Sequence, residues 1–188
     1  MVRGRSSSEF FVQRISSRST NGSISTHNLA ENRRVVMHRE LGDLEATRAL
    51  AVSIARNVDP PQTIVLNGTL GAGKTQWIRF FAAAMGVAPE LVTSPTYVLH
   101  QQYRGEASTL HHFDFYRLES ESQVWDLGID ELFETADIVL IEWGDRFPAC
   151  LPDDHLVLTL DATSSTTRHV RLSATGPRSH AIVERLGK

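Results

Sequence analysis

The chain has 188 residues, 41% of them hydrophobic, with a formal net charge of −3 and a pI near 6.2. That length fits one domain with a tail, and the charge gives no global case for nucleic-acid or acidic-membrane binding. No apolar run approaches the roughly 18 residues of a membrane span, and the single Cys150 excludes an intramolecular disulfide or a cysteine zinc site, so the chain reads as soluble and cytoplasmic.

Residues 1–34 carry six arginines against two glutamates, are rich in serine and lack periodicity. They cannot bury enough apolar surface to offset their ordering entropy, and a disordered basic tail is expected there. The composition equally suits an organelle transit peptide, and a translation start at Met37 would leave the segment out. The folded domain is expected over residues 35–188, where 13 basic and 20 acidic groups leave a net charge of −7.

Within that domain, "RVVMHREL" reads as a strand, and "GDLEATRALAVSIARNV" as a helix with an acidic start. Leu44, Thr47, Leu50, Ala51 and Ile54 form the apolar stripe of that helix, and Pro60-Pro61 ends it. The β-branched run "TIVLNG" suits a strand covered on both faces, and "TQWIRFFAAAMG" has helical composition up to Gly86. "YVLHQQYRG" and "STLHHFDFYRL" predict a hairpin turned near Gly105, and "SESQVWDLGIDELFE" a Ser-capped short helix or helical pair. "ADIVLIEWGD" is a second wholly apolar strand. "HLVLTLDA" and "RHVRLSATG" alternate as half-exposed strands, and "PRSHAIVERLG" closes as a helix. This interleaving predicts an α/β fold of three layers around a mixed, partly parallel central sheet. The eight histidines form no ligand-spaced cluster. Neighbours on a strand point to opposite faces, so of His111 and His112 one is expected buried and the other exposed.

Only two lysines, Lys74 and Lys188, stand against seventeen arginines, and Lys74 closes the glycine-rich run "NGTLGAGKTQW". Gly68, Gly73, Lys74 and Thr75 fit G-x-x-x-x-G-K-[ST], the P-loop, with a strand entering and a helix leaving as the motif requires. By chance those four positions would match in about one chain of this length in a hundred, before the flanking elements are demanded. The physics assigns each residue a task. Gly68, Thr69, Leu70, Gly71, Ala72 and Gly73 let the backbone wrap phosphates and aim N–H groups inward. The helix start adds its positive end, Lys74 supplies a compact ammonium, and Thr75 offers a hydroxyl to Mg²⁺.

A P-loop site also needs an acid at the end of a buried strand, and Glu142 follows four aliphatics at that position, with Glu in place of the commoner Asp. Asp114 lies among aromatic neighbours, either paired with Arg117 or part of the site. Thr96 in "VTSPTYVLH" sits where a switch segment would meet a γ-phosphate or Mg²⁺, and Trp143 either stacks on a base or fills the core. No Asn-Lys-x-Asp element exists to read guanine, so ATP is the expected nucleotide. A small-molecule kinase would add an arginine-bearing lid, and none stands out. A nucleotide-gated binding protein would need the same loop without the chemistry.

Together "GTLGAGKT", "TSPTYVL", "HFDFYRL", "LGIDELF" and "VLIEWGDRF" closely resemble the bacterial TsaE (YjeE) family over about residues 37–161. The resemblance implies a small ATPase of the machinery that forms N6-threonylcarbamoyladenosine next to the anticodon of tRNA. It would act with a TsaD–TsaB pair and associate only indirectly with tRNA. Carried over, Lys74 grips phosphate, Thr75 and Glu142 hold Mg²⁺, Asp114 helps hydrolysis, Thr96 belongs to the switch-like loop and Trp143 lies near the nucleotide. The basic tail has no counterpart in the family pattern.

Overall fold

Each predicted strand and helix forms in the computed structural model, which describes residues 36–135 and 137–187. The expected tail, residues 1–34, lies outside the described residues. In chain order the elements are β1 (Val36–Leu41), α1 (Leu44–Ala55), β2 (Gln62–Asn67), α2 (Lys74–Ala84), β3 (His100–Arg104), β4 (Thr109–Asp114), α3 (Glu121–Trp125), α4 (Ile129–Leu132), β5 (Ile138–Glu142), β6 (His155–Ala162), β7 (Arg168–Ala174) and α5 (Pro177–Leu186). Asp43 caps α1 by accepting from the Ala46 N–H at 2.7 Å. Thr47, Leu50, Ala51 and Ile54 of its predicted stripe are buried, whereas Leu44, the first residue of the helix, is 59% exposed. The helical pair α3–α4 is divided by Gly128, whose φ of +67° no other residue type adopts as readily.

One seven-stranded sheet runs in the order β1-β7-β6-β2-β5-β4-β3. Its centre is parallel (β6, β2, β5, β4), while β7 and β3 run antiparallel to their neighbours. Every residue of β5 is buried, as the unbroken apolar run required, and β6 alternates buried with half-exposed positions. Helices α1, α2 and α5 cover one face through a core containing Leu50, Ile54, Ile64, Leu66, Trp77 and Phe81. A smaller core, with Phe113, Phe115, Val124, Ile129, Val139 and Ile141, lies on the other face beneath α3 and α4. That third layer spans only the β4–β5 half. Beside it Val157, Thr159 and Arg171 line a groove along β6 and β7.

The register fixes where function can gather. Leu66 of β2 and Asp114 of β4 both pair with Glu142 at the end of β5. The carboxyl ends of three parallel strands therefore meet at one point, and α2 starts there. In open α/β sheets, ligands bind in this crevice.

At the opposite end of the sheet, the N-cap Gly176 of α5 has no side chain to offer the helix, whose own Ser179 Oγ accepts from the Gly176 N–H at 3.1 Å. Asp154, from the turn before β6, accepts from the Arg178 and Ser179 N–H groups (2.7 and 3.1 Å) and from Ser179 Oγ (2.7 Å). A Cβ on Gly176 would lie 2.5 Å from the Asp154 Cγ, so the approach requires glycine there. Burial acts to raise the Asp154 carboxyl, but these donors outweigh it and hold it below its ordinary value. Asp154→Ala is expected to cost about 1–2 kcal/mol in urea unfolding at neutral pH. Because the folded value is depressed, the stabilisation is complete above about pH 4 and lost as pH falls through the folded value. Wild type and variant should converge in acid.

Candidate nucleotide site

The loop from Gly68 to Gly73 turns back over the end of β2 by means of three positive φ angles, +129° at Gly68, +78° at Gly71 and +104° at Gly73. Gly73 is the N-cap of α2 and provides no side-chain acceptor, so the first-turn N–H groups of that helix have no side-chain cap. Such a terminus suits an anion. Leu70 at the tip is 76% exposed, consistent with a residue that contributes only backbone.

Lys74 is only 4% exposed, which a lysine tolerates when its charge is paired. Its ammonium donates to the carbonyls of Gly68 (2.9 Å) and Thr69 (3.0 Å) and lies 3.8 Å from the ring centre of Trp143. Burial pushes the Lys74 ammonium below its ordinary value, and the carboxylates of Glu142, Asp114 and Asp145 partly offset this. Trp143 holds the left-handed φ of +62°, uncommon outside glycine, which turns its ring from the end of β5 toward the loop. Its ring also packs 5.1 Å from that of Tyr116. Trp143 thus borders the smaller core and contacts the loop lysine at once.

Thr75 and Glu142, both expected as metal ligands, meet directly: the hydroxyl donates to Oε1 at 2.7 Å. Asp114 and Thr96 also meet, with Thr96 Oγ1 donating to Asp114 Oδ2 at 2.5 Å and Ser94 Oγ to the same oxygen at 3.3 Å. Asp114 Oδ1 accepts from the Tyr116 N–H at 2.9 Å. The alternative pairing of Asp114 with Arg117 is overturned. The Arg117 guanidinium instead lies 4.2 Å from the ring centre of Tyr97, because residues beyond the strand end turn away from Asp114's face. The expectation for the two histidines is corrected as well. His111 and His112 are 5% and 0% exposed, since β4 is covered on both faces: His111 meets His100 (3.2 Å), and His112 meets Glu142 (3.0 Å).

Three contributors carried no sequence motif. Arg168, at the start of β7, donates through Nε to the loop carbonyl of Ala72 at 2.8 Å and through Nη1 to Ser164 and Thr167 carbonyls, bracing the loop from a hairpin 96 residues on. Asp145 places a third carboxylate in the field of Lys74. His112 had a usable signal: it lies two residues before Asp114, and alternation puts both on the face that α2 covers. Arg79 donates to the Val92 carbonyl (3.0 Å) and to Gln76, tying α2 to the segment ahead of Thr96. Among the described residues no group of three or more His, Cys, Asp or Glu side chains could hold a metal by itself, and no helix is long and apolar enough to cross a membrane.

The glycines differ in what a side chain would meet. At Gly68 a Cβ would lie 2.1 Å from the Leu160 carbonyl oxygen, whereas at Gly71 it would meet nothing within 4 Å. Gly71→Ala should lose only the backbone strain of about 1–2 kcal/mol. Gly68→Ala is expected to lose more than that, with displacement of the loop. Urea unfolding of the two variants compares them directly, and equal losses would refute the close approach.

The family model described as threonylcarbamoyl adenosine biosynthesis protein TsaE matches residues 41–170. The tRNA threonylcarbamoyladenosine biosynthesis protein TsaE of Bacillus subtilis is 33% identical over 144 residues, spanning 77% of this chain and 89% of that protein. Its namesake from Treponema pallidum is 32% identical over 120 residues, 64% and 87% of the respective chains. The crystal structure of Bacillus subtilis YdiB superposes with a TM-score of 0.68 at 26% identity, covering 82% of this chain and 95% of that one. Matched along most of its folded length and in its fold, the chain belongs to the TsaE family of tRNA threonylcarbamoyladenosine biosynthesis proteins.

Proposed function

We propose that the chain is an Mg²⁺-dependent ATPase that serves threonylcarbamoyladenosine formation in the cytoplasm, acting with a TsaD–TsaB pair and associating with tRNA only through it. The observation that carries this reading is the convergence of Lys74, Thr75, Glu142, Asp114 and Thr96 at the carboxyl ends of three parallel strands. The Gly68–Thr75 segment takes the phosphates on its backbone N–H groups, and Lys74 exchanges two loop carbonyls and the Trp143 face for phosphate oxygens.

The donor chemistry suits magnesium: a hydroxyl and a carboxylate, both hard oxygen ligands, already lie within 2.7 Å of each other. Thr75 and Glu142 would hold the ion, with phosphate oxygens completing its shell because these two side chains cannot. When bound, Mg²⁺ neutralises charge on the phosphates. Asp114 accepts a hydrogen bond from the attacking water. The water oxygen bonds to the γ-phosphorus as the bond to the bridging oxygen breaks, and ADP and phosphate leave. Thr96, bonded to Asp114, positions that carboxylate or exchanges it for the nucleotide.

Slow turnover by the isolated chain is expected, because Arg79 and Arg117 are engaged with Val92 and Tyr97. ATPase rates measured with and without a TsaD–TsaB pair test this. No association, and no effect of removing the protein on tRNA modification, would end the reading. Lys74→Ala is expected to lose ATP affinity in calorimetry. Asp114→Asn should bind ATP yet turn over about 10²–10⁴-fold more slowly. Unchanged turnover in that variant would leave Asp114 as a clasp for the Ser94–Thr96 loop alone. If it lost hydrolysis while cellular modification continued, nucleotide binding without chemistry would be the function.

A further inference from the structure

We infer that His112 is a positioning residue, which fixes the Glu142 carboxylate for the metal it would share with Thr75; this rests on the Mg·ATP reading above. Glu142 is 3% exposed and His112 is not exposed at all, so neither can turn to water for a partner. Strands β4 and β5 are parallel with His112 opposite Leu140, which puts Glu142 at the diagonal position on the same face. The imidazole Nε2 lies 3.0 Å from Glu142 Oε1. A carboxylate only accepts, so Nε2 carries the proton and donates.

The ring is held from its other side. Tyr103 of β3 has its hydroxyl 3.5 Å from His112 Nδ1, and that hydroxyl also contacts Gln101 and lies 3.4 Å from the Thr93 carbonyl. The imidazole therefore sits in a slot between Tyr103 and Glu142, with a line of contacts reaching the segment that carries Thr96.

The need for such a support follows from the residue at position 142. Glutamate has one more rotatable bond than aspartate and places its charge less definitely when a single partner holds it. Thr75 and His112 both donate to the same oxygen, Oε1, at 2.7 and 3.0 Å. Two donors from different elements, one on α2 and one on β4, restrict the carboxylate where one would let it swing. Residues that orient a metal ligand in this way are worth about 10–100-fold in metal affinity.

The experiment compares H112N with H112Q in the full chain. A glutamine can bring its amide nitrogen close to the Nε2 position, whereas an asparagine reaches only as far as Nδ1. ATP binding is measured by calorimetry over a series of Mg²⁺ concentrations and again in EDTA. H112N is expected to raise the half-saturating Mg²⁺ by about tenfold or more, to leave ATP affinity in EDTA at the wild-type value, and to be largely corrected in H112Q. An unshifted magnesium requirement in H112N overturns the inference, and so does equal weakening of both variants in EDTA, which marks a packing role. Should H112N not fold, H112L, which fills the slot without a donor, takes its place: a raised requirement that H112Q corrects supports the inference, and an unshifted one overturns it. Failure of the underlying reading looks different, since the wild-type chain would then bind ATP without regard to Mg²⁺ or not bind it.

Discussion

The hydrogen bond from Thr75 to Glu142, 2.7 Å long, joins the first turn of a helix to the end of a strand 67 residues later, and the organisation of the site depends on it. It exists because β2 and β5 are parallel neighbours whose ends coincide, so the loop leaving one must pass beside the acid that ends the other. Glu142 would be a costly buried charge without partners. Thr75, His112 and the field of Lys74 supply them, and the same acids in return favour the charged lysine.

The loop satisfies itself with its own groups. Lys74 spends its donors on the carbonyls of Gly68 and Thr69 and faces the Trp143 ring, while Asp114 is occupied by Thr96, Ser94 and the Tyr116 N–H. On the proposed reading, a triphosphate would exchange these hydrogen bonds for new ones, so its affinity would reflect a difference between two well-bonded states. The Asp114 clasp also borders the protein surface, since Thr96 is followed by Tyr97 and Val98, 83% and 62% exposed. The candidate site and an exposed apolar segment are thereby adjacent in sequence.

The sheet divides the labour. Its parallel centre aligns the acids, and the antiparallel pair at the far side, β6 with β7, supplies Arg168 to brace the loop from outside. Helices α1, α2 and α5 bury the face toward which Lys74, His112, Asp114 and Glu142 are directed, giving these groups a setting with little water to compete for their hydrogen bonds.

What the sequence determined by itself is local. Gly68, Gly73, Lys74 and Thr75 stand at the spacing of a phosphate-binding motif because such a turn is made by consecutive backbone, and unbroken apolar runs mark β2 and β5 because both their faces are covered. Apolar alternation marked β6 and capping residues marked the helices, but the end of β7, Leu172–Ala174, is wholly buried rather than alternating, and Leu44's place in the stripe did not reveal its exposure in the first turn. The partners of the acids were decided only by tertiary structure. By sequence Asp114 was as well placed to meet Arg117, three residues away, and no periodicity could show that Thr96 would reach it across 18 residues of chain. His112 beside Glu142 and Arg168 on the Ala72 carbonyl depend on strand order and register, which follow from how the whole set of apolar faces packs and are written in no single segment.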